Sequence, residues 1–367
     1  MQAGPDQDLW RELGGAFGLP GACRSAERLG RGHIHDTWVA LYDAGGVPRR
    51  FVHQRINTRV FRDPERLMQN LERVTRHLGR KLSGLPDAER RHLRLVPARD
   101  GRPFWVGPDG GHWRTTVFVE GSRSPERIAS PAEAIEAGRA FGAFARQLAD
   151  LGDPPLAETI PRFHDLGSRF AALEGAARRD PCGRAGGVGA ELEACRARHG
   201  AVASALEAVG PLPRRVMHND CKVDNLLLDR ASGEALCVVD LDTVMEATLL
   251  CDFGELVRSG ACRAAEDEPD PARVDFDLDL VGALARGCRA GAGDLFRDAE
   301  LAALPLAGAA LALENALRFL ADHLEGDVYF RIARPGHNLD RARAQLRLAE
   351  RLWDRRDAIR RVVMTPP

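Results

Sequence analysis

One short polar stretch in the second half of the chain constrains the fold more than any other feature. Residues 216–225 read VMHNDCKVDN and contain the spacing His-x-Asp-x-x-x-x-Asn. Two runs of β-forming residues follow, at 226–229 and 235–239, and the turn sequence Arg-Ala-Ser-Gly between them predicts a hairpin. Asp240 directly follows the second run. These linked features occupy only 23 residues, which makes the pattern far more specific than a single glycine motif.

The spacing of this stretch is one that phosphoryl transfer explains. An aspartate must accept or orient the proton of the attacking hydroxyl, and an amide oxygen five residues later must reach a metal ion on the phosphates. Asp220 and Asn225 fit those roles, and Asp240 supplies the carboxylate oxygen that Mg²⁺ prefers. We therefore predict Asp220 as catalytic base, Asn225 and Asp240 as Mg²⁺ ligands, and ATP as the phosphoryl donor.

Lysine is rare in this chain, so its position in the motif is informative. Lys81 and Lys222 are the only lysines among 52 basic residues. Lys222 lies two residues after Asp220, where a flexible ammonium group can reach the γ-phosphate and the charge that develops on it. The sequence therefore predicts a catalytic role for Lys222.

Three other polar residues near the motif have competing interpretations. We expect His218 to hold the loop by hydrogen bonds rather than to act in the chemistry. Asp252 is expected to accept hydrogen bonds from backbone amides and so to anchor the loop. Asp242 stays open, since it either supports the metal ion or the acceptor, or is an exposed carboxylate in a turn.

Glycines near the start of the chain predict a turn that binds phosphate groups. Residues 28–42 read as a strand, a glycine turn and a second strand. Gly30, Gly32 and His33 lie in the turn, where small residues let backbone amides approach phosphates. We predict that these three residues contact the nucleotide.

The next predicted strand, at residues 50–56, lacks the lysine that pairs with phosphates in kinases. Either Gln54 or Arg55 must take its place. A guanidinium group can clamp two phosphate oxygens at once, which favours Arg55.

The remaining patterns predict a small β-rich part followed by a larger helical one. Asp63-Pro64-Glu65 is a helix start with a capping acid, and residues 114–119 (RTTVFV) form another strand candidate. Ser130-Pro131-Ala132-Glu133 is a capping box that begins a long helix, and the chain is mainly helical beyond it. A length of 367 residues suits two such lobes, so we predict an α+β fold.

Composition argues against several classes of partner. The 52 basic and 53 acidic residues leave a net charge of −1, so nothing calls for nucleic acid or an acidic membrane surface. The eight cysteines form no Cys-x-x-Cys pair, which favours reduced thiols.

With no leader pattern and no run of about 18 apolar residues, we expect a cytoplasmic protein. The oligomeric state stays open.

Taken together, the motifs resemble the aminoglycoside phosphotransferase and choline kinase superfamily, and within it the N-acetylhexosamine 1-kinase group. Such proteins have a protein-kinase-like bilobal fold. The resemblance implies an N-lobe at residues 1–117, a C-lobe at residues 118–367, ATP in the cleft, and a linker in which Val119 and Glu120 touch adenine. It rests on LGRGHIHDTW, FVHQRINTRVFRDPERLMQNL, VMHNDCKVDNLLLD, CVVDLDTVMEATLLCDFGELVR and ENALRFLADHLEGDVYFRIARPGHNLDRARAQL.

The resemblance also implies where the acceptor binds. Kinases of this group phosphorylate the anomeric hydroxyl of a hexosamine, and Arg318, Tyr329 and Phe330 occupy the positions that match their sugar pocket. Asp220 would face the same substrate. The residues themselves agree in part, because Asp322 and Asp327 add carboxylates that a polyol needs, although an ordinary amphipathic helix gives a similar pattern.

Two departures from the family pattern leave the acceptor open. The loop reads Gly-His-Ile-His-Asp where Asn usually precedes the Asp, and His53 replaces an aliphatic residue. The rival functions are a kinase for another small alcohol (an aminoglycoside, choline or homoserine), a nucleotide-binding pseudokinase without activity, and a structural or nucleic-acid-binding protein. The small-molecule sugar kinase is the function that we favour.

Overall fold

The computed structural model describes residues 7–29 and 34–365 of the chain. The chain forms two compact units, Met1–Gly121 and Ser122–Pro367. The first unit is built on an antiparallel sheet and the second is mainly helical. The predicted α+β fold class is therefore confirmed, whereas the functions that we assign to residues 1–117 and 118–367 stay predictions.

The first unit contains a sheet with the strand order β1-β2-β3-β6-β4, and a short β5 pairs with β6. All of these pairs are antiparallel. Its elements are α1 (Gln7–Ala16), β1 (Cys23–Arg28), β2 (Asp36–Ala44), β3 (Val47–Arg55), α2 (Pro64–Leu82), β4 (Leu95–Val96), β5 (Trp105–Val106) and β6 (His112–Val117).

The hairpin between β2 and β3 follows from two adjacent glycines. Gly45 and Gly46 both have positive φ, at 65° and 91°, as a tight two-residue turn between antiparallel strands requires. The Asp43 carboxylate accepts a hydrogen bond of 2.7 Å from the Gly46 amide and closes the turn. The register therefore pairs Ala44 with Val47 and continues to Asp36 opposite Arg55.

The side chains on one face of this sheet pack against α1. Trp10 of the helix and Phe17, which directly follows it, lie against His53, which is fully buried. The His53 ring hydrogen-bonds the Tyr42 hydroxyl at 3.1 Å and the Thr115 hydroxyl at 2.8 Å. Burial lowers the pKa of His53 to about 4, so the ring is neutral. His53, which stands where the family pattern has an aliphatic residue, is thus part of the core beneath α1.

Helix α2 begins where the sequence predicts. Asp63 caps it by accepting a hydrogen bond of 3.0 Å from the Arg66 amide, and Pro64 occupies the first turn. Apolar residues spaced three and four positions apart along the helix are buried; they are Leu67, Leu71, Val74 and Leu78.

Within residues 122–365, the second unit contains eight α-helices and two small antiparallel sheets, with strand orders β10-β9-β7 and β11-β8. The helices are α3 (Pro131–Leu148), α4 (Leu166–Arg179), α5 (Gly189–Val209), α6 (Leu249–Gly260), α7 (Leu278–Ala292), α8 (Asp298–Leu324), α9 (His337–Asp354) and α10 (Arg356–Met364). The strands are β7 (Ser122–Arg123), β8 (Arg215–Met217), β9 (Leu226–Asp229), β10 (Ala235–Val238) and β11 (Met245–Ala247).

Helix α8 is the central helix of this unit. It runs for 27 residues and is long and apolar enough to cross a membrane, but 89% of its most apolar window is buried inside the protein. Helices α6 and α9 pack along it. Its apolar character is therefore accounted for by its place in the core.

Helices α3 and α7 approach each other backbone to backbone. Each carries two glycines four residues apart, Gly138 and Gly142 on α3, Gly287 and Gly291 on α7. A Cβ atom at any of these positions would lie 2.1–2.3 Å from a carbonyl oxygen of the other helix. Only glycine permits so close a contact, so the four residues fix the distance between the two helices.

Candidate functional site

The hairpin of β9 and β10 brings the two predicted metal ligands to one end. Leu226 pairs with Val238, and the Val239 amide donates a hydrogen bond of 2.9 Å to the Asn225 carbonyl. Asn225 precedes the first strand and Asp240 follows the second. Their side chains therefore leave the open end of the same hairpin, as the sequence predicts.

Asp220 lies between Lys222 and Asn225. Its Oδ1 is 3.2 Å from the Lys222 ammonium, and its Oδ2 accepts a hydrogen bond of 3.0 Å from the Asn225 amide nitrogen. That nitrogen also donates to the Asp220 carbonyl at 2.9 Å. The structure thus brings together the predicted base, the lysine predicted to be catalytic and one of the two predicted metal ligands.

The charges of Asp220 and Lys222 stabilise each other. Burial alone would raise the pKa of Asp220, but the Lys222 ammonium, together with smaller contributions from other neighbours such as Arg258, outweighs it and holds that pKa below its usual value. Burial would lower the pKa of Lys222, yet the nearby carboxylates of Asp220, Glu266 and Glu255 raise it. Asp220 is therefore a carboxylate and Lys222 an ammonium group at neutral pH.

We call residues 218–225, which contain the predicted base, the catalytic loop. Its backbone is held by Asp252 at the start of α6. Its two carboxylate oxygens accept hydrogen bonds from the amides of His218, at 3.0 Å, and Asn219, at 2.7 Å. Asn219 has a positive φ of 67°, a conformation that few residues other than glycine adopt. The predicted anchoring role of Asp252 is confirmed by these contacts, which keep the loop in this conformation.

His218 is a structural residue of the loop, as predicted. Its Nε2 donates to the Val239 carbonyl at 3.0 Å, and its Nδ1 accepts from the Asp220 amide at 3.2 Å. Phe141 and Phe144 of α3 meet the ring edge-on, with ring centres 5.6 and 5.4 Å away. Both ring nitrogens are thus used in holding the loop to the hairpin.

Asp242 is not an exposed turn residue, so that alternative is wrong. The residue is 3% exposed. Its carbonyl accepts a hydrogen bond of 2.7 Å from the Thr159 hydroxyl. A role for Asp242 in supporting the metal ion or the acceptor stays a prediction.

The metal ligands can be tested against the hydrogen bonds that they make. Asn225 uses its amide nitrogen toward Asp220, and within residues 7–29 and 34–365 no hydrogen bond engages its amide oxygen. Asp240 is exposed at the end of β10. Those same residues contain no cluster of three or more His, Cys, Asp or Glu side chains that could hold a metal ion. Two oxygen ligands, completed by phosphate oxygens and water, fit Mg²⁺ bound together with a nucleotide.

The predicted nucleotide contacts in the first unit are only partly described. Gly30, Gly32 and His33 lie outside the described residues. Arg55 pairs with Asp109 at 2.5 Å, and its guanidinium lies 6.0 Å from the centre of the Trp113 ring, on the face that α1 covers. A phosphate at Arg55 would compete with this ion pair.

Gln54 lies on the opposite face of β3. Its amide oxygen accepts a hydrogen bond of 2.8 Å from Arg114, and its nitrogen donates to the Thr37 hydroxyl at 3.1 Å. Arg114 is 2% exposed and was not singled out from the sequence. The two candidates for the phosphate clamp therefore belong to different faces of the sheet.

The predicted adenine-binding segment lies beside a pocket of the first unit. The Glu120 carboxylate binds the Arg50 guanidinium with both oxygens, and Arg50 lies 4.0 Å from the centre of the Phe118 ring. The Glu120 carbonyl accepts from Arg90 at 3.0 Å, and Val119 is buried. A pocket of about 410 Å³ is lined by these residues. The contact of Val119 and Glu120 with adenine stays a prediction.

In the second unit, the predicted acceptor residues come together around Arg318. Its guanidinium lies 5.3 Å from the ring centre of Phe330, 6.0 Å from that of Tyr329 and 5.1 Å from that of Phe163. Phe163, 155 residues away in sequence, was not predicted, since it lies in an irregular segment before α4. Three aromatic rings thus surround one cation; we call Arg318, Phe163, Tyr329 and Phe330 the arginine cage.

Asp322 shapes the arginine cage rather than offering a free carboxylate. Its oxygens accept hydrogen bonds of 2.8–2.9 Å from the amides of residues 328–330 and from the Asn338 side chain. Asp327 is engaged by Arg184 and Asn338, at 2.7 and 2.9 Å. The expectation that these two carboxylates bind a polyol is therefore not supported, because both hold the loop that carries Tyr329 and Phe330.

Comparison with solved structures places this fold among known kinases. A spectinomycin phosphotransferase, APH(9)-Ia, solved with ADP and spectinomycin, matches with a TM-score of 0.59 at 11% identity, covering 96% of this chain and 98% of that one. A choline/ethanolamine kinase family protein from Mesorhizobium loti matches with a TM-score of 0.56 at 20% identity, covering 96% and 98%. An aminoglycoside phosphotransferase from Alicyclobacillus acidocaldarius gives 0.56 at 15%, covering 92% of each chain. At these identities the likeness concerns the fold.

The sequence itself assigns the family. Residues 25–290, more than half of the chain, match the family model described as APH, phosphotransferase enzyme family. The matched range includes the catalytic loop, the β9–β10 hairpin and Asp240. The chain therefore belongs to the APH phosphotransferase family and is a small-molecule kinase.

Proposed function

We propose that this kinase transfers the γ-phosphoryl group of ATP to the anomeric hydroxyl of an N-acetylhexosamine or a related sugar. The observation that carries the chemistry is the position of the Asp220 carboxylate, held between Lys222 and Asn225. The choice of sugar rests on the arginine cage and on the resemblance of the late segment to hexosamine kinases.

Asp220 orients the acceptor hydroxyl and takes its proton as the new bond to phosphorus forms. Because the pKa of Asp220 is lowered, the group is an acceptor over the whole neutral range. In loose phosphoryl transfer the hydroxyl proton is lost late, so a weakly basic carboxylate in the right place is sufficient. Lys222 offers its ammonium to the γ-phosphate oxygens and compensates their charge.

Asn225 and Asp240 would hold Mg²⁺ through the amide oxygen and the carboxylate at the open end of the hairpin. The ion held there would neutralise negative charge on the phosphate groups. The role of the protein is to keep these two oxygens at a fixed separation, which the Val239–Asn225 hydrogen bond supports.

The arginine cage suits a sugar better than a cationic acceptor. Aromatic faces pack on the C–H face of a pyranose ring, while a guanidinium donates to its hydroxyl or acetamido oxygens. Choline or a polycationic aminoglycoside would meet the Arg318 charge at the centre of the three rings, where a cation receptor offers empty aromatic faces. Phe163 adjoins His164, which hydrogen-bonds the Asn219 carbonyl, so the cage borders the catalytic loop.

The deciding experiment is phosphoryl transfer from Mg-ATP across a panel of acceptors. The panel contains N-acetylglucosamine, N-acetylgalactosamine, glucose, galactose, choline, homoserine and kanamycin, with the product read by phosphorus NMR. A hexosamine 1-phosphate is the expected product. Transfer to choline, homoserine or kanamycin alone would overturn the sugar assignment and leave the kinase family untouched.

A further inference from the structure

A buried histidine and glutamate lie against the catalytic loop. The side chains of His164 and Glu314 are 7% and 3% exposed. His164 Nδ1 is 3.1 Å from both carboxylate oxygens of Glu314, and His164 Nε2 is 2.8 Å from the carbonyl oxygen of Asn219, the residue before Asp220. The histidine therefore connects helix α8 to the catalytic loop.

The partners of the two ring nitrogens define the protonation of His164. A carbonyl oxygen can only accept, so Nε2 must carry a hydrogen. A carboxylate facing Nδ1 with both oxygens requires a hydrogen there as well. Burial alone would lower the pKa of His164, but the charge of Glu314 and the two hydrogen bonds outweigh it and raise that pKa. The ring is therefore an imidazolium at neutral pH.

The charged surroundings of the pair come from three helices. Glu255 of α6 adds a further favourable charge to His164, and the Cys251 thiol lies near Glu314. Arg169 of α4 is attracted by Glu314 and repelled by Arg318, which follows Glu314 by one helical turn on α8. None of these groups replaces Glu314 at Nδ1.

The carbonyl that His164 binds belongs to the peptide that joins Asn219 to Asp220. On the other side of Asn219 the amide is fixed by Asp252, at 2.7 Å. Because the amide and the carbonyl of Asn219 are both hydrogen-bonded, its positive φ is maintained. The direction of the Asp220 side chain is thereby fixed.

We propose that His164 is a positioning residue for phosphoryl transfer, whose doubly protonated ring pins the Asn219 carbonyl and thereby fixes Asp220 for the reaction. The proposal rests on the role of Asp220 as base. When the ring loses a proton, the remaining one stays with the carboxylate, which is the stronger acceptor. Nε2 then presents a lone pair to the Asn219 carbonyl, and the peptide is released.

The direction of the pH effect follows from the sign of the shift. Since the pKa of His164 is raised above its ordinary value, the imidazolium persists to higher pH than in an unperturbed histidine and is lost as pH rises through that pKa. Turnover is expected to fall on this alkaline limb, with the KM for ATP unchanged, because nucleotide contacts do not depend on the Asn219 carbonyl.

The sharpest variant is Glu314→Gln, which keeps the shape and removes the charge. The amide nitrogen of glutamine donates to Nδ1, and a neutral His164 still donates its Nε2 hydrogen to Asn219. We expect kcat at neutral pH within about threefold of the wild type, since the hydrogen bond to the loop survives. The alkaline limb should disappear, and a limb identical to that of the wild type would contradict the proposal.

His164→Phe removes both hydrogen bonds. We expect kcat to fall by about 100-fold, as a shift of the base by about 1 Å would cause. His199→Gln is the matched control, because that ring stacks on Phe170 at 3.9 Å, and it should keep the wild-type pH profile. Unchanged kcat in His164→Phe overturns the proposal; if this variant fails to fold, Glu314→Gln and the next measurement decide.

Nitrogen-15 NMR of the histidine rings tests the proposal without any acceptor. The His164 signals are assigned by comparison with His164→Phe or, if that variant does not fold, with His164→Gln. They should show both ring nitrogens protonated at pH 7. A single neutral tautomer there would refute the proposal. Full activity in Asp220→Asn would instead show that Asp220 is not the base. That result would overturn the proposed mechanism and is distinguishable from a failure at His164.

Discussion

At the scale of single residues, the proposed phosphoryl transfer depends chiefly on Asp220. Asp220→Asn keeps the size of the side chain and a hydrogen-bond partner for Asn225, but removes the proton acceptor. We expect kcat to fall by about 10²–10⁴-fold, the usual contribution of a positioned base, with the melting temperature nearly unchanged. Steady-state kinetics and a thermal melt would check this.

The matched control is Asp224→Asn on the same loop. Asp224 is exposed, and its carbonyl, rather than its carboxylate, accepts the hydrogen bond from Ser124. This variant should retain near wild-type kcat. Equal losses in both variants would mean that the loop needs negative charge in general and not a base at Asp220.

Arg318 gives a second prediction for a single residue. Arg318→Ala removes the guanidinium from the arginine cage, so the KM for the acceptor should rise by about tenfold or more while the KM for ATP stays the same. Arg360→Ala, an exposed arginine on α10, is the control. If acceptor KM is unaffected in Arg318→Ala, the acceptor binds elsewhere.

At the scale of secondary-structure elements, the contact between α3 and α7 leaves no room for a larger residue at its glycines. In Gly287→Ala the new Cβ would lie 2.1 Å from the carbonyl oxygen of Ile135, so the helices must separate. We expect the free energy of unfolding to drop by about 1–3 kcal/mol, as for other overpacked cores. Because α3 also carries Phe141 and Phe144 against His218, kcat should fall too.

Gly200→Ala on α5 is the control for this substitution. Nothing lies within 4 Å of a Cβ at Gly200. Alanine in an open helical position should stabilise the protein by about 1 kcal/mol, because glycine is the poorer helix former. Urea unfolding of both variants measures the difference, and similar changes in the two would mean that α3 and α7 can readily move apart.

The same elements show how far the sequence could predict the structure. Local signals sufficed where neighbouring residues determine the geometry: the Asp63 cap of α2 and the β9–β10 hairpin. They could not reveal His164 and Phe163, which lie in an irregular segment and meet α8 residues about 150 positions later. Nothing in periodicity or turn chemistry marks such long-range pairs.

The exposure of side chains was also hard to predict. Asp322 and Asp327 look like substrate ligands in sequence because carboxylates are usually exposed. In the fold, Asp322 is buried and accepts from three consecutive backbone amides. Its function depends on the path of residues 328–330, which only the tertiary structure specifies.

At the scale of the whole molecule, the thiols are inert where they are buried. The eight cysteines are all free, and burial raises the pKa of Cys195, Cys237, Cys251 and Cys288 to about 12. Such groups stay protonated at neutral pH and react slowly. Five of the eight thiols are buried, and the reduced state of all eight stays a prediction.

Nucleotide binding should stabilise the whole chain only when Mg²⁺ is present. A ligand that binds the folded state alone adds about 2.7 kcal/mol at 100 times its Kd. A non-hydrolysable ATP analogue with Mg²⁺ should therefore raise the melting temperature, and EDTA should remove most of the gain. Differential scanning fluorimetry measures both without an acceptor.

Two variants separate metal binding from catalysis in that experiment. Asp240→Asn removes the exposed carboxylate proposed to hold Mg²⁺, so its Mg²⁺-dependent stabilisation should shrink toward the value with EDTA. Asp220→Asn should keep the stabilisation despite its low turnover, because Asp220 is assigned to the acceptor hydroxyl. If instead Asp220→Asn loses the stabilisation and Asp240→Asn retains it, the metal ion is held on the Asp220 side of the loop and the two roles must be exchanged.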